Sequence, residues 1–360
     1  MARARADKLP VVGPEAGEAP SGRKPVGLRQ VAKVAGVSTA TVSRAINAPA
    51  SVSPELKTRI DMVIRELGWV PSGAARALAT RRTGTIGAVF PALAQGDFAR
   101  AIDALQDELA LRDYTLLLAR SRYSTEEELK QVLKLVERGV DGLVLVGRNR
   151  HPDLDLVLQK QKVPVVNTFV YQAEGDVPFV GPDNRAALFK MTEYLVGLGH
   201  RRFAMIAQST LNNDRAAARR EGVQAALAEH GIAIPPAHLV EGRWTINEGR
   251  RLFRQILERR PWPTAVIGGN SQLAVGAVLE SQAMGIRLPK DMSIVGYDDI
   301  EIMRELPVPI TTVRVASDDV GREAARVVVG LVEGKQPVGS VELPSEIIIR
   351  QSSGKPPQDG

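Results

Sequence analysis

Apolar positions recur in two rhythms along this chain. Between residues 28 and 68 they come three and four apart, in LRQVAKVAG, TATVSRAIN and SPELKTRIDMVIRELG, with glycine or proline at each junction, a pattern that predicts three short helices. From Thr85 onward the rhythm changes. IGAVF, YTLLLA, DGLVLVG, VPVVNTF, RFAMIA, TAVIGG and MSIVGYD are short, nearly continuous apolar runs. They are interleaved with helical stretches such as FARAIDALQDELALRD, STEEELKQVLKLVERG, NRAALFKMTEYLVGLG and DRAAARREGVQAALAEHG. Continuous apolar strands are buried on both faces, so the alternation predicts parallel sheets covered by helices, an α/β class. Residues 84–350 carry more of it than one sheet usually holds. Two doubly wound lobes are therefore expected, with a ligand crevice between them at the carboxyl ends of the strands.

Composition narrows the classes. The 360 residues are 44% hydrophobic and 24% charged, ordinary for a soluble globular chain with room for two or three domains. Lys and Arg number 47 against 41 Asp and Glu, a formal charge of +6. The excess gathers near the start, at Arg3, Arg5, Lys8, Arg23, Lys24, Arg29, Lys33 and Arg44. A basic end fits an acidic partner such as nucleic acid, and fits a solvated tail equally well. Cysteine is absent, which excludes disulfides and thiolate-held metal. No apolar run approaches the ~20 residues of a membrane span. Residues 1–26, with Pro10, Pro14, Pro20 and Pro25 among small and charged residues, lack the apolar stretch of a secretory signal. They predict a disordered basic leader on a cytoplasmic protein.

Residues 36–47, GVSTATVSRAIN, pose the sharper question. Ser38 suits the N-cap of a helix starting near Thr39. Val42, Ala45 and Ile46 then share one face, placed to pack on Val31, Val34 and Ala35 of the preceding helix, with Gly36 permitting the turn. Ala40, Ser43, Arg44 and Asn47 share the other, which is small, polar and basic. That is the helix-turn-helix arrangement, in which Arg44 suits a guanine and Ala40 a thymine methyl in the major groove. A solvent-exposed helical hairpin fits the same pattern. The next segment, PSGAARALA, makes a helix of two turns at most, too short to stand alone in water. Pro71 suits its first turn and Leu78 projects from it, as for a wedge in the minor groove or for a plain interdomain linker.

Taken in order, VAKVAGVSTATVSRAIN, VSPELKTRIDMVIRELGWVPSGAARALATRRTGTIG, LGHRRFAMIA, RREGVQAAL, GNSQLAVGAV, LPKDMSIVGYDDIEI and PITTV resemble the lactose-repressor/galactose-repressor (LacI/GalR) family of bacterial transcription regulators. The likeness runs from Leu28 to about Arg350. It implies a DNA-binding headpiece (27–70), a hinge helix and linker (71–83) and a two-lobed core like that of periplasmic sugar-binding proteins (84–350), with a polar tail (351–360). It also implies a homodimer on a palindromic, double-stranded operator, read in both grooves. Thr39, Ala40 and Arg44 match the family's base-reading positions and Leu78 its intercalating leucine. The DNA-facing set expected of this chain is Leu28, Arg29, Ser38, Thr39, Ala40, Ser43, Arg44, Asn47, Pro71, Ser72, Ala75 and Leu78.

The same resemblance implies a small-molecule effector held by Asp97, Phe98, Asn167, Phe169, Arg219, Asn270, Ser271 and Asp298, with no cofactor and no metal. Arg219, three residues before Gly222, matches the family's arginine that meets a ligand hydroxyl or carboxylate, for which its planar fork is suited. The alternative for that position is a surface helix arginine beside Arg220. Many relatives carry aspartate where this chain has Phe169 and Ser271. Two fewer carboxylates remove acceptors for sugar hydroxyls and repulsion of an anion, which points to a sugar acid or phosphorylated sugar. Asp97 and Asp298 argue for a neutral sugar.

An enzyme is not expected. His151, His200, His230 and His238 show no metal-ligand spacing, no GxSxG, P-loop or GxGxxG motif occurs, and His200 reads as a helix-end residue in a turn. A transport-type sugar-binding protein is the alternative, and it needs an export signal where this chain has a helix-turn-helix. A purely architectural DNA-binding protein has no use for a two-lobed core. The final SVELPSEIIIRQSSGKPPQDG predicts a strand and then the polar tail, without the leucine heptads of a tetramer.

Overall fold

The computed structural model describes residues 26–73, 77, 82–335 and 339–358, and its two compact units divide between residues 81 and 82. The first unit is a three-helix headpiece. Its helices are α1 (Leu28–Ala35), α2 (Thr39–Asn47) and α3 (Pro54–Leu67). Gly36, at φ +66°, ends α1 in the left-handed region that favours glycine, and its N–H satisfies the Ala32 and Lys33 carbonyls. Val31, Ala32 and Ala35 meet Val42, Ala45, Ile60 and Val63 in a small core. Val34, expected in that core, is instead about half exposed, at 51%. Three residues after Val31 it lies too far round the helix, and Ala32 takes the inner position.

The second unit holds two sheets of six strands each. Sheet one contains β1 (Thr85–Phe90), β2 (Thr115–Arg120), β3 (Gly142–Val146), β4 (Val165–Thr168), β5 (Phe179–Gly181) and β11 (Val341–Glu342). Its order is β11-β5-β4-β3-β1-β2, and every pairing is parallel. Sheet two contains β6 (Phe203–Gln208), β7 (Leu239–Gly242), β8 (Ala265–Gly268), β9 (Ser293–Tyr297), β10 (Thr311–Val315) and β12 (Ser345–Ile348), ordered β12-β10-β9-β8-β6-β7. Only β12 in this sheet runs antiparallel to its neighbour. The helices of lobe 1 are α4 (Gly96–Ala110), α5 (Thr125–Glu137), α6 (Pro152–Gln161) and α12 (Ser317–Val332); those of lobe 2 are α7 (Asn184–Gly197), α8 (Asp214–Glu229), α9 (Ile246–Leu257), α10 (Ser271–Ala283) and the short α11 (Ile302–Glu305). Central strands such as β3, β6 and β9 are buried along their whole length, which is why they read as continuous apolar runs.

The chain passes between the lobes after β5, after β10 and after β11. Lobe 1 thus takes α12 from beyond lobe 2, and α12 packs closely on α4. These crossings place the ends of β1, β4, β6 and β9, where the chain leaves the sheets, around a shared cleft.

The sequence expectations need correcting at several points. YTLLLA forms an edge strand, so Leu117 and Leu118 are partly exposed rather than sandwiched. Arg82 and Thr83 belong to the core rather than the hinge: Arg82 donates to the Val332 carbonyl, and Thr83 is held by Asp141. Nor is the chain beyond Arg350 a free polar tail. Ser352 is fully buried, accepting the Thr311 amide at 2.8 Å and donating to the Ile294 carbonyl. His200 is likewise more than a turn residue. It is completely buried, with Nδ1 bonded to Thr264 Oγ1 at 2.9 Å and Nε2 to Ser293 Oγ at 3.0 Å and to the Gly354 carbonyl at 2.9 Å. Burial pushes its pKa down, so the ring is held neutral and tethers the C-terminal segment to lobe 2.

Candidate functional sites: a recognition helix and an interlobe cleft

The Ser38 hydroxyl caps α2 by accepting the Thr41 amide at 3.1 Å, and burial of Val42 and Ala45 fixes which side of α2 faces in. Thr39, Ala40, Arg44 and Asn47 are consequently exposed and Ser43 is half-buried, a face of small and polar side chains with one cation. Asn47 Nδ2 donates to Ser43 Oγ at 3.2 Å, orienting both on that face. Arg29, Pro71 and Ser72 are exposed, and Leu28 is half-buried against the headpiece core. Ala75 and Leu78 lie outside the described residues.

The cleft is lined from both lobes. Lobe 1 contributes Gln95, Asp97, Phe98, Tyr123 and Phe169; lobe 2 contributes Asn184, Gln208, Asn213, Arg215, Arg219, Tyr297 and Asp298; Pro182 and Val315 come from the crossings. Side chains leave about 30 Å³ of free space, enough for a water or two, so a sugar-sized occupant enters only as the lobes or the arginines move. Phe90, Phe98 and Phe169 form an edge-to-face cluster with centroids 4.9–6.4 Å apart, an apolar wall. Tyr123, Phe169 and Asp298 all have positive φ, between 60° and 69°, a conformation that bulky L-residues hold only under constraint and that gathers at binding sites.

Asn184 organises the polar side. Its Nδ2 donates to the Phe169 carbonyl in lobe 1 at 2.9 Å, and its Oδ1 accepts from Arg219 Nη1 at 2.9 Å and from the Tyr297 hydroxyl at 3.0 Å. Arg219 is buried with its guanidinium over the Tyr297 ring, and its Nε has no protein partner. Across the cleft, Asp97 and Asp298 are both buried. Arg100 Nη2 donates to Asp97 Oδ1 at 3.1 Å. Burial raises both pKa values, and Asp298 rises well above the usual carboxylate range because Asp97 adds like-charge repulsion. Burial and like-charge repulsion thus both disfavour two ionised carboxylates here. Among the described residues no His, Asp or Glu group is arranged to hold a metal, and no helix is long and apolar enough to cross a membrane.

Of the predicted effector residues, the cleft brings together Asp97, Phe98, Phe169, Arg219 and Asp298. Asn270 stands one bond behind it, donating to Gln208, and caps α10. Ser271 is buried in the first turn of α10, and Asn167 is engaged by Arg150 on the far side of β4; neither lines the cavity. Sequence reasoning missed Asn184, Arg215, Tyr123 and Gln208. Asn184 and Arg215 read there as ordinary first-turn helix residues, and no spacing in one sequence separates such a residue from a ligand contact.

A two-lobed binding core with a helix-turn-helix headpiece defines a class of ligand-responsive DNA-binding regulators. Residues 27–72 match the model of bacterial regulatory proteins of the lacI family, and residues 192–353 match that of a periplasmic binding protein-like domain. The ribose operon repressor of Escherichia coli (strain K12) is 30% identical over 84% of this chain and 92% of its own. Catabolite control protein A of Priestia megaterium is 28% identical over 91% and 99%. The lac repressor dimer bound to operator and the anti-inducer ONPF superposes with a TM-score of 0.82 at 26% identity, covering 92% of this chain and all of that one. The chain belongs to the LacI family and is a DNA-binding transcriptional regulator.

Proposed function

We propose that this protein is a repressor, dimeric on a palindromic operator, whose DNA affinity is set by a small carbohydrate acid bound between the lobes of the core. Residues 27–70 read DNA, with Thr39, Ala40, Ser43, Arg44 and Asn47 toward the major groove and Leu28, Arg29, Ser38, Pro71, Ser72, Ala75 and Leu78 completing the contact set. The segment after Pro71 conveys the state of the core to the headpiece. The ligand shifts the operator equilibrium only by its differential affinity for two lobe arrangements, so the lobes must move as it binds.

The observation that carries the acid reading is Arg219. A buried guanidinium with an unpartnered Nε, stacked on Tyr297, is a donor awaiting an acceptor, and a carboxylate or phosphate is the acceptor its fork fits best. Burial and mutual repulsion raise the pKa values of Asp97 and Asp298, which favours a protonated carboxyl at the site and weakens the objection those two residues raise. The names of the ribose operon repressor and lac repressor relatives support the carbohydrate class.

Thermal unfolding against neutral sugars, aldonic acids, keto-sugar acids and sugar phosphates tests it. A ligand at ~100 times its Kd adds about 2.7 kcal/mol, readily seen as a higher midpoint. Stabilisation by acids alone supports the reading, and stabilisation by neutral sugars alone overturns it.

A further inference from the structure

At the rim of the cleft the lobes touch through charged groups. Gly147 and Arg148 follow β3 in lobe 1, while Asp214 and Arg215 open α8 in lobe 2. The Arg148 amide donates to Asp214 Oδ2 at 2.8 Å, and Arg215 Nη1 donates to Asp214 Oδ1 at 2.9 Å. Both of these side chains are more than nine-tenths buried. Gly147 has φ +76°, and a Cβ there would fall 1.9 Å from Arg215 Nη1 and 2.5 Å from Asp214 Oδ1. The lobes approach this closely only because residue 147 has no side chain. A buried carboxylate that accepts from the backbone of one lobe and from a guanidinium of the other is an interlobe tie with its charge matched. Arg215 also lines the cavity, so the guanidinium that steadies Asp214 is within reach of whatever occupies the cleft.

We propose that Asp214, Arg215 and the Arg148 amide form an interlobe latch, which an anion in the cleft releases by drawing the Arg215 guanidinium away from Asp214. Once Arg215 turns to the anion, Asp214 is left as a buried carboxylate with the Arg148 amide alone, an arrangement relieved when the lobes separate and water reaches it. A neutral sugar leaves the Arg215–Asp214 pair intact, so the latch makes Arg215 a residue that selects for charge as well as one that conveys occupancy. The anion-release step rests on the acid-effector reading; the latch itself does not.

The absence of cysteine from the sequence makes the test direct. Leu156→Cys in lobe 1 and Met284→Cys in lobe 2, both at exposed positions, take spin labels in the full-length protein, and pulsed dipolar spectroscopy reads the distance between them. Asp214→Asn and Gly147→Ala attack the tie from opposite lobes, and each is expected to broaden the distribution and lengthen it by several ångströms. Circular dichroism checks that both remain folded. Inorganic phosphate at constant ionic strength is expected to move the parent the same way and to leave Arg215→Gln unmoved. An unchanged distribution in both folded variants overturns the latch. A shift in the variants with no response of the parent to phosphate overturns its release by anions. Failure of every sugar acid to stabilise the parent defeats the effector reading separately, because the variant distances are read without ligand.

Discussion

The Arg219 guanidinium lies over the Tyr297 ring, 4.5 Å from its centroid, and both side chains donate to one acceptor, Asn184 Oδ1. The stack and the shared acceptor fix the plane of the fork before any ligand arrives. Arg219→Lys keeps the charge but loses both the plane and the paired donors. Affinity for the effector acid should fall by about 1.5–3 kcal/mol, a factor of ten to a hundred or so, by isothermal titration calorimetry. Binding within two-fold of the parent would remove Arg219 as the anchor.

Glu128, in the first turn of α5, is buried, and that burial pushes its carboxyl from 4.5 up to about 7 despite the favourable charges of Arg150 and Arg215. The ionised form is the one the fold disfavours. Stability from this group is therefore fully present below pH 4.5 and is lost as the pH rises through about 7, by up to about 3 kcal/mol. Glu128→Gln should abolish that loss: denaturant unfolding should find the variant more stable than the parent at about pH 8 and level with it below pH 4.5. Parallel pH profiles for the two proteins would contradict the assignment.

Gly321 lets α12 lie directly on α4. A Cβ there would fall 2.1 Å from the Ala101 carbonyl oxygen and 2.9 Å from the Leu105 amide nitrogen, both main-chain atoms that cannot step aside. Alanine gains about 1 kcal/mol in helix propensity over glycine, while overpacking costs about 1–3 kcal/mol. With rigid backbone as the obstacle the second term wins. Gly321→Ala should lower the core's unfolding midpoint, and an unchanged or higher midpoint would show that the helices slide apart freely.

In the headpiece, exposed Arg44 and exposed Arg29 should behave differently on operator DNA. Arg44→Ala should cost about 1–3 kcal/mol on the cognate site and relax the choice of base at one position. Arg29→Ala should weaken all sequences alike and reduce the salt slope by about 1. Binding titrations at several salt concentrations separate the two, and the reverse assignment of effects would displace Arg44 from its reading role.

The architecture was legible where burial is complete. Runs such as GLVLV and SIVGY lie in mid-sheet with helices over both faces, so their patterns carry the parallel sheets directly. Phe179–Gly181 and Leu239–Gly242 were not legible as strands: the first is only three residues long, and the second is an edge strand buried only at Val240. The polar C-terminal stretch misled because Ser352 is buried, and Gly354 is tied to His200, through hydrogen bonds rather than through apolar surface. The cleft was half legible. Asp97, Phe169 and Asp298 were legible only through the family resemblance; Phe169 and Asp298 directly follow β4 and β9, while Asp97 lies in the first turn of α4. Asn184 and Arg215 depend on three-dimensional partners: Asn184 joins Phe169 to Tyr297, and Arg215 reaches Gly147 of the other lobe.

The most direct test of effector control through the cleft is the affinity of the full-length protein for its selected operator, titrated by fluorescence anisotropy with and without the stabilising acid. The account predicts a change of tenfold or more, about 1.4 kcal/mol of coupling, in the parent and little change in Arg219→Ala. Equal operator affinity with and without saturating acid, in a parent that demonstrably binds it, would contradict the account.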